Sequence, residues 1–247
     1  MNSPKESGAT APSKLPPFLQ AAFSPEVWEG LRERVLSALL LAVIFLGAEV
    51  IGGPLFNGLV LLVALQMIRE WDALTVHDKL RWRIGGMFYV AIPALSLIWL
   101  RSVQFEGSPN AGMGIVLYLF LVVWATDIGA YFVGRAIGGP KLAPNISPSK
   151  TWAGLFGGMA SAAIVGMLCA IFTPYPPTVG SCITVAIILA VVSQMGDLFE
   201  SWLKRRAGVK DSGTLIPGHG GVLDRLDGLA AATPILALFV ALSGMYV

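Results

Sequence analysis

The feature that most constrains this chain is a series of long apolar runs separated by short polar loops. A helix that crosses the roughly 30 Å hydrocarbon core of a bilayer needs about 20 mostly apolar residues. We identify seven such runs, at residues 35–52, 54–68, 84–100, 112–133, 152–172, 181–198 and 229–247. The second run is short and the fourth could be a broken pair, so eight spans is the nearest alternative count. The sequence therefore predicts an all-α, polytopic integral membrane protein.

Composition and patterning support this class. Of the residues, 55% are hydrophobic and only 13% are charged, which is typical of membrane proteins. The runs are continuous rather than alternating, so the strands of a membrane barrel are not expected. Residues 1–30 are rich in Pro, Ser and Ala and lack the apolar core of a secretory signal. We predict that they form a flexible cytoplasmic tail, and that residues 31–247 form one membrane-embedded domain.

The basic residues predict the orientation of the chain, because Lys and Arg in short loops stay on the cytoplasmic side. With seven spans and the N-terminus inside, all 17 lysines and arginines except Arg101 fall on one side. An incorrect span count would scramble that segregation. The polar segments 134–151 and 199–228 are therefore expected to face the cytoplasm, with the chain in a bacterial inner membrane.

Two helical stripes place ionisable groups near the inner ends of spans. Asp127, Tyr131 and Arg135 follow at steps of four residues, so they share one helix face. An ionised Asp at the membrane centre costs about 2.5–3.5 kcal/mol, and somewhat less near the interface. Either Asp127 pairs with Arg135 through Tyr131, or the stripe forms the wall of a polar site. We leave both interpretations open.

The second stripe lies at the inner end of the sixth span. Its members fall at helical spacing and run from the membrane into the loop: Ser193, Asp197, Glu200, Ser201 and Lys204. Such a stripe is expected to face water or a ligand rather than lipid. Plain membrane anchoring is the alternative for Lys204, Arg205 and Arg206. Glu49, which has no base near it in the sequence, is expected to be interfacial and structural.

The loop that follows this stripe carries a specific motif. Residues 201–227 are SWLKRRAGVKDSGTLIPGHGGVLDRLD, which resembles the signature of the CDP-diacylglycerol synthases, also called phosphatidate cytidylyltransferases, at every constrained position. A second block, TDIGAYFVGRAIGGPKLAPNISPSKTWAG at 126–154, is similar to another stretch of that family, and LRERVLSALLL and EWDAL are similar more weakly. One position departs from the family pattern, since Ala153 stands where a Glu is usual.

The resemblance implies an activity. A phosphate oxygen of phosphatidate would attack the α-phosphorus of CTP, giving CDP-diacylglycerol and pyrophosphate. The nucleophile is already an anion, so the chemistry needs charge neutralisation and positioning rather than a Ser–His pair. We expect Mg²⁺ or Mn²⁺ as cofactor, and leave a monovalent cation open. The expected partners are CTP, phosphatidate and the bilayer, with no nucleic acid, and a homodimer is left open.

Site residues follow from this chemistry and from the motif. Asp224 and Asp227 are three apart, so on a helix both carboxylates could share a hard cation, and Asp197 is expected to be the third ligand. The alternative is that Asp224 and Asp227 cap the last helix. The expected catalytic residues are Asp197, Lys204, Lys210, Asp211, His219, Asp224, Arg225 and Asp227. Those expected to bind substrate are Asp127, Tyr131, Arg135, Ser147, Ser149, Lys150, Ser201, Gly220 and Gly221.

Several of these residues have a specific expected role. Gly218, Gly220 and Gly221 lack a Cβ and can bring backbone N–H groups close to phosphate. Lys204, Lys210 and Arg225 would bind the triphosphate or the leaving pyrophosphate. His219 is expected to contact phosphate or to be structural. Ser147, Ser149 and Lys150 resemble a phosphate-contacting block in which Pro148 would hold the turn.

Three other functions remain open at this stage. The chain could be a relative that uses CTP on another lipid phosphate or alcohol. It could be a catalytically weakened scaffold, because Ala153 replaces the usual Glu. It could also be a transporter, although its polar stripes cluster at one membrane face rather than at the midplane.

Overall fold

The computed structural model describes residues 40–76, 80–105, 108, 110–172, 178–215 and 220–243. Within these residues the chain forms seven α-helices and one short β-hairpin. The helices are α1 Leu40–Ile51, α2 Gly53–Leu74, α3 Leu80–Ser102, α4 Ala111–Ile137, α5 Trp152–Phe172, α6 Val179–Arg206 and α7 Leu223–Ser243. The predicted tail at 1–30 lies outside the described residues, as does His219.

Each of the seven predicted apolar runs overlaps one of these helices. Five of them, α3 to α7, are long and apolar enough to cross a membrane. The chain is therefore a helical integral membrane protein, and the full count of seven spans stays a prediction. Some helices also extend past the apolar runs and include polar residues at their ends. For example, α6 extends to Arg206 and α7 begins at Leu223.

The hairpin lies between α4 and α5, where no strand was expected. Strand β1 (Lys141–Ala143) pairs antiparallel with β2 (Ser147–Thr151). The turn occupies residues 144–146, so Pro148 lies inside β2 and does not hold the turn as predicted. A proline has no N–H to donate, which a two-stranded sheet tolerates because each strand has an open edge. A strand this short leaves no clear periodicity in the sequence.

Small residues allow the helices around the hairpin to approach closely. A side chain at Gly129 of α4 would overlap Ser161 of α5, and one at Gly157 of α5 would overlap Val133 of α4. Helices in membranes associate through such close contacts, since lipid tails offer no hydrophobic driving force between them. This packing fixes the position of β2, which leads directly into α5.

The two ends of the helical bundle differ in charge. At one end, Arg101 pairs with the fully buried Glu49, with 3.1 Å between Nε and Oε1, and also donates to the backbone oxygen of Glu49. The base that Glu49 lacks locally therefore comes from the end of α3. The other lysines and arginines of the described residues lie at the opposite end, where α6 ends and α7 begins. The predicted segregation of charge is present in the fold.

Candidate active site

Polar side chains converge at the basic end of the bundle in two adjacent networks. We call the first the Glu70 cap, which comprises Glu70, Glu200, Lys204, Ser212 and Asp224. We call the second the Asp227 cluster, which comprises Asp127, Lys150, Gln194, Asp197 and Asp227. They draw on α2, α4, β2, α6, α7 and the loop before α7.

Glu70 is buried on α2 and closes the start of α7. Its Oε2 accepts hydrogen bonds from Ser212 Oγ at 3.0 Å and from the Leu223 N–H at 2.8 Å. Its Oε1 accepts from the Val222 N–H and from Gln66 Nε2, both at 3.0 Å. The first N–H groups of a helix have no partner within the helix, and a negative charge there is favourable. Glu70 therefore acts as a cap supplied by a different helix.

Asp224 belongs to the same network. Its carboxylate accepts from the Ser212 N–H at 2.9 Å and the Gly221 N–H at 2.8 Å, and it pairs with Lys204 Nζ at 2.7 Å. Lys204 also lies 2.6 Å from Glu200 Oε2. These donors turn Asp224 toward the loop. The alternative interpretation, in which a carboxylate serves the helix terminus, therefore describes Asp224 well.

The glycines of the loop are occupied by this arrangement. Gly221 donates its N–H to Asp224, and a side chain there would overlap Ser212 Oγ and come close to Glu70 Oε2. Gly220 has a φ of 85°, a conformation that glycine adopts at little cost. The Gly221 amide, one of those expected to approach phosphate, thus serves the cap. Gly218 and His219 lie outside the described residues.

The Asp227 cluster is a chain of polar contacts among three helices and β2. Gln194 Nε2 donates to Asp127 Oδ1 at 3.1 Å, and Lys150 Nζ donates to Gln194 Oε1 at 3.0 Å. Lys150 also forms an ion pair with Asp197. Ser201 Oγ donates to Asp197 Oδ1 at 3.3 Å. Lys150 comes from the hairpin, and both of its partners, Gln194 and Asp197, lie on α6.

Asp227 completes the cluster from α7. Its Oδ1 accepts from the N–H of Gly228 at 2.7 Å. Asp197, Asp127 and Lys150 all lie close enough to Asp227 to act on it electrostatically. Three carboxylates, from α4, α6 and α7, therefore lie near one positive charge, the ammonium group of Lys150. A cluster with this excess of negative charge is suited to binding a cation.

The predicted metal ligands do not assemble as a trio. Asp224 faces Lys204 and the loop, whereas Asp197 and Asp227 lie in the other network. Among the described residues no group of three His, Cys, Asp or Glu side chains is arranged to hold a metal ion. Mg²⁺ in proteins commonly uses one or two carboxylates, together with waters and substrate phosphates. The pair Asp197 and Asp227 fits that mode, and the predicted trio does not.

The stripe of Asp127, Tyr131 and Arg135 does not form the pairing of Asp127 with Arg135 that the first interpretation predicted. Arg135 Nη1 donates to the Tyr131 hydroxyl at 3.3 Å, and both side chains are exposed. Asp127 does not join them, because its carboxylate contacts Gln194 on α6 instead. Asp127 therefore contacts the polar cluster, whereas the described contact of Arg135 is with Tyr131, so neither interpretation describes the whole stripe.

The remaining predicted residues lie on β2 and in or beside the signature loop. Ser147 is half-buried and Ser149 is exposed, both on β2. Exposed positions in or beside the signature loop are Lys210, Asp211 and Arg225.

Two important residues were missed from the sequence. Glu70 lies in EWDAL, whose weak similarity to the family was the available signal, but its partners are 142 to 153 positions away. Gln194 lies in SQMGDLFES beside Asp197, and an amide gives no charge signal. Both residues act by joining helices that no local spacing connects.

The fold and site together define a class: a helical membrane protein with a carboxylate and lysine site at the basic end of its bundle. The sequence model of the cytidylyltransferase family matches residues 74–243. The chain therefore belongs to the cytidylyltransferase family.

Individual relatives agree with this assignment. The chain is 49% identical over 179 residues to a phosphatidate cytidylyltransferase of Brucella suis biovar 1 (strain 1330), which covers 72% of the chain and 62% of the relative. It is 40% identical over 220 residues to a phosphatidate cytidylyltransferase of Rickettsia bellii (strain RML369-C), covering 86% and 90%. A third, from Haemophilus influenzae, is 45% identical over 157 residues, covering 62% and 54%. The chain thus spans less than two thirds of the Brucella relative.

Proposed function

We propose that this protein transfers the cytidylyl group of CTP to phosphatidate, giving CDP-diacylglycerol and pyrophosphate. The observation that carries the proposal is the Asp227 cluster, in which Asp197, Asp227 and Lys150 meet at the basic end of a membrane-embedded bundle. The relatives named as phosphatidate cytidylyltransferases support the choice of substrates. Family membership supports the class of reaction.

The reaction exchanges one phosphoric anhydride bond for another. A phosphate oxygen of phosphatidate forms a bond to the α-phosphorus of CTP, and the bond from that phosphorus to the oxygen bridging to the β-phosphorus breaks. The electron pair leaves with pyrophosphate. No proton has to be removed from an ionised phosphate nucleophile, so the protein needs no strong base. Its task is to bring two polyanions together and hold them in line.

The side chains of the cluster can do this by charge and position. Lys150 presents an ammonium group that Asp197 and Gln194 hold in place, so a phosphate oxygen can bind it with little rearrangement. Arg225 and Lys210, both exposed near the start of α7 and in the loop, would contact the triphosphate in this proposal. Arginine suits this role because its planar fork matches two phosphate oxygens.

Asp197 and Asp227 would hold a divalent cation, Mg²⁺ or Mn²⁺, together with oxygens of the substrates. When bound, such a cation supplies charge neutralisation between the phosphates. Lys150 lies close to both carboxylates and limits their repulsion. The Glu70 cap has a separate task in this proposal, which is to fix the loop before α7 so that the first turn presents Asp227.

The location of the site suits a lipid substrate. The clustered polar residues occupy the ends of apolar helices, where a phospholipid phosphate lies while its acyl chains remain in the bilayer. The lysines and arginines gathered at this end support a cytoplasmic orientation, where CTP is available. The bacterial relatives support an inner-membrane location.

The direct test is turnover by purified protein in mixed micelles. With CTP, phosphatidate and Mg²⁺ we expect equimolar pyrophosphate and CDP-diacylglycerol, and no product when phosphatidate is omitted. Parallel reactions with other lipid phosphates and with diacylglycerol separate the proposal from a relative with a different lipid substrate. A well-folded protein that releases no pyrophosphate with any lipid would contradict it. Recovery of activity in Ala153→Glu would then identify a weakened homologue.

A further inference from the structure

A buried tyrosine hydroxyl on α3 faces the Asp227 cluster. The Tyr89 hydroxyl oxygen is inaccessible to solvent and has no hydrogen-bond partner among the described residues. A buried hydroxyl without a partner destabilises the folded state, because it loses its bonds to water. Packing alone does not explain why this position carries Tyr, since Phe would fill the same space without that cost.

The ring of Tyr89 is fixed on both sides. It packs against Trp71, with 5.0 Å between ring centroids, and against Phe199, with 5.5 Å. Trp71 is itself held by a hydrogen bond from its Nε1 to the backbone oxygen of Trp82 at 2.9 Å. Aromatic contacts of this kind restrict the ring to a narrow range of positions. The direction of the hydroxyl is therefore set by the fold.

Tyr89 packs against the face of α7 that carries Asp227, since it lies in one cluster with Leu223, Leu226 and Ala230. The charged groups that act on the Tyr89 phenol are Asp227, then Glu200, then Asp197. Asp197 is paired with Lys150, and Glu200 Oε2 with Lys204, although Glu200 Oε1 has no hydrogen-bond partner among the described residues. Asp227 has one oxygen bonded to the Gly228 N–H, which leaves its second oxygen for another donor. We therefore take Asp227, on the helix that packs against Tyr89, as the acceptor.

We infer that Tyr89 is a positioning residue whose hydroxyl donates a hydrogen bond to Asp227, through a bridging water or directly, when the site is loaded. It would hold the Asp227 carboxylate at the orientation needed to bind a divalent cation beside the substrates. Partners that orient a metal-binding carboxylate typically change metal affinity or activity by about 10–100-fold. This inference rests on the proposed function, and it adds a residue of α3 to a site otherwise built from α4, β2, α6 and α7.

The test compares two isosteric substitutions of buried tyrosines. Tyr89→Phe removes only the partnerless hydroxyl. Tyr118→Phe is the matched control, because the Tyr118 hydroxyl donates to the Cys182 backbone oxygen at 2.7 Å near the opposite end of the bundle. The measurements are kcat, the Mg²⁺ concentration that gives half-maximal rate, and the thermal unfolding temperature in detergent.

Opposite responses are expected from the two variants. Tyr89→Phe should unfold at the same temperature as wild type or higher, while kcat falls and the Mg²⁺ requirement rises, each by about tenfold. Tyr118→Phe should unfold at a lower temperature and keep the wild-type kcat and Mg²⁺ requirement. Wild-type kinetics in Tyr89→Phe would overturn the inference. Inactivity of the wild type and of Tyr118→Phe alike would instead count against the proposed function.

Discussion

The two polar networks at the basic end of the bundle differ in how far their charges are compensated. In the Glu70 cap two of the three acids are met by several donors: Glu70 accepts from four groups, and Asp224 accepts from two backbone amides and Lys204. The third acid, Glu200, has the ion pair with Lys204. In the Asp227 cluster, three carboxylates are close to Lys150 and the amide of Gln194. Glu70 and Asp224 therefore have little capacity left to bind a ligand, whereas the carboxylates of the Asp227 cluster can still accept one.

The two aspartates of the signature motif therefore have different surroundings. Asp224 and Asp227 are three residues apart on α7, yet the first serves the fold of the loop and the second faces the polar cluster. A carboxylate near the start of a helix stabilises the fold when its oxygens accept hydrogen bonds from nearby donors. Carboxylates that repel each other favour whatever cation or cationic group can join them. Substitutions in the two networks should therefore affect different observables.

The largest effect is expected for Asp227→Asn. Removing this charge should lower kcat by about a thousandfold while the protein still folds and inserts, because the reaction depends on electrostatic stabilisation at this point. Pyrophosphate release measures it. Asp72→Asn is the matched control, since Asp72 lies at the same end in an exposed pair with Arg83. Near-normal turnover by Asp227→Asn would show that the cluster is not the reaction site.

Lys204→Met should act mainly on stability. It leaves Asp224 and the buried Glu200 without their shared ammonium, and breaking such a pair from one side costs about 3 kcal/mol. Unfolding in mixed micelles of rising SDS content measures the loss. Arg83→Met removes a base from the exposed pair and should cost about 1 kcal/mol or less. Equal losses in both variants would remove the distinction between the cap and an ordinary surface pair.

Gln194→Leu should give a smaller effect, this time on rate. The substitution leaves Lys150 and Asp127 without the amide that joins them, so the ammonium is less well placed and kcat should fall by about tenfold. Gln194→Glu can still accept from Lys150 but places a further negative charge beside Asp127. It should therefore be slower than Gln194→Leu if the balance of charge matters, and a faster Glu variant would argue against that.

Ser212→Ala should have the smallest effect of the four. It removes one hydrogen bond to Glu70 and should cost about 1 kcal/mol of stability. The rate at a temperature where the protein is fully folded should be unchanged. A fall in kcat without a fall in stability would assign the cap a direct part in the chemistry.

Much of the architecture was predictable because it depends on local sequence. Each apolar run overlaps a described helix, since a backbone inside a bilayer must form its hydrogen bonds internally. Helix ends were less predictable. The last run was placed at 229–247, whereas α7 begins at Leu223, because a polar first turn can be helical when another part of the chain caps it.

Several members of the two polar networks were predictable, but their pairings were not. The motif identified Asp197, Lys204, Asp224 and Asp227. Their division into two networks depends on Glu70, which reaches α7 from 153 positions away, and on the backbone amides that turn Asp224 toward the loop. No spacing within the motif encodes either contact. Helical periodicity predicted Asp224 and Asp227 on one face, and the Ser212 and Gly221 amides and Lys204 turn Asp224 toward the loop.

The most direct test of this division of labour is Mn²⁺ binding, followed by electron paramagnetic resonance in wild type, Asp227→Asn and Asp224→Asn at a temperature where all three are folded. Asp227→Asn should weaken Mn²⁺ binding by about tenfold or more, and Asp224→Asn should leave the affinity unchanged while lowering the unfolding temperature. Loss of Mn²⁺ binding in Asp224→Asn with retention in Asp227→Asn would contradict the account.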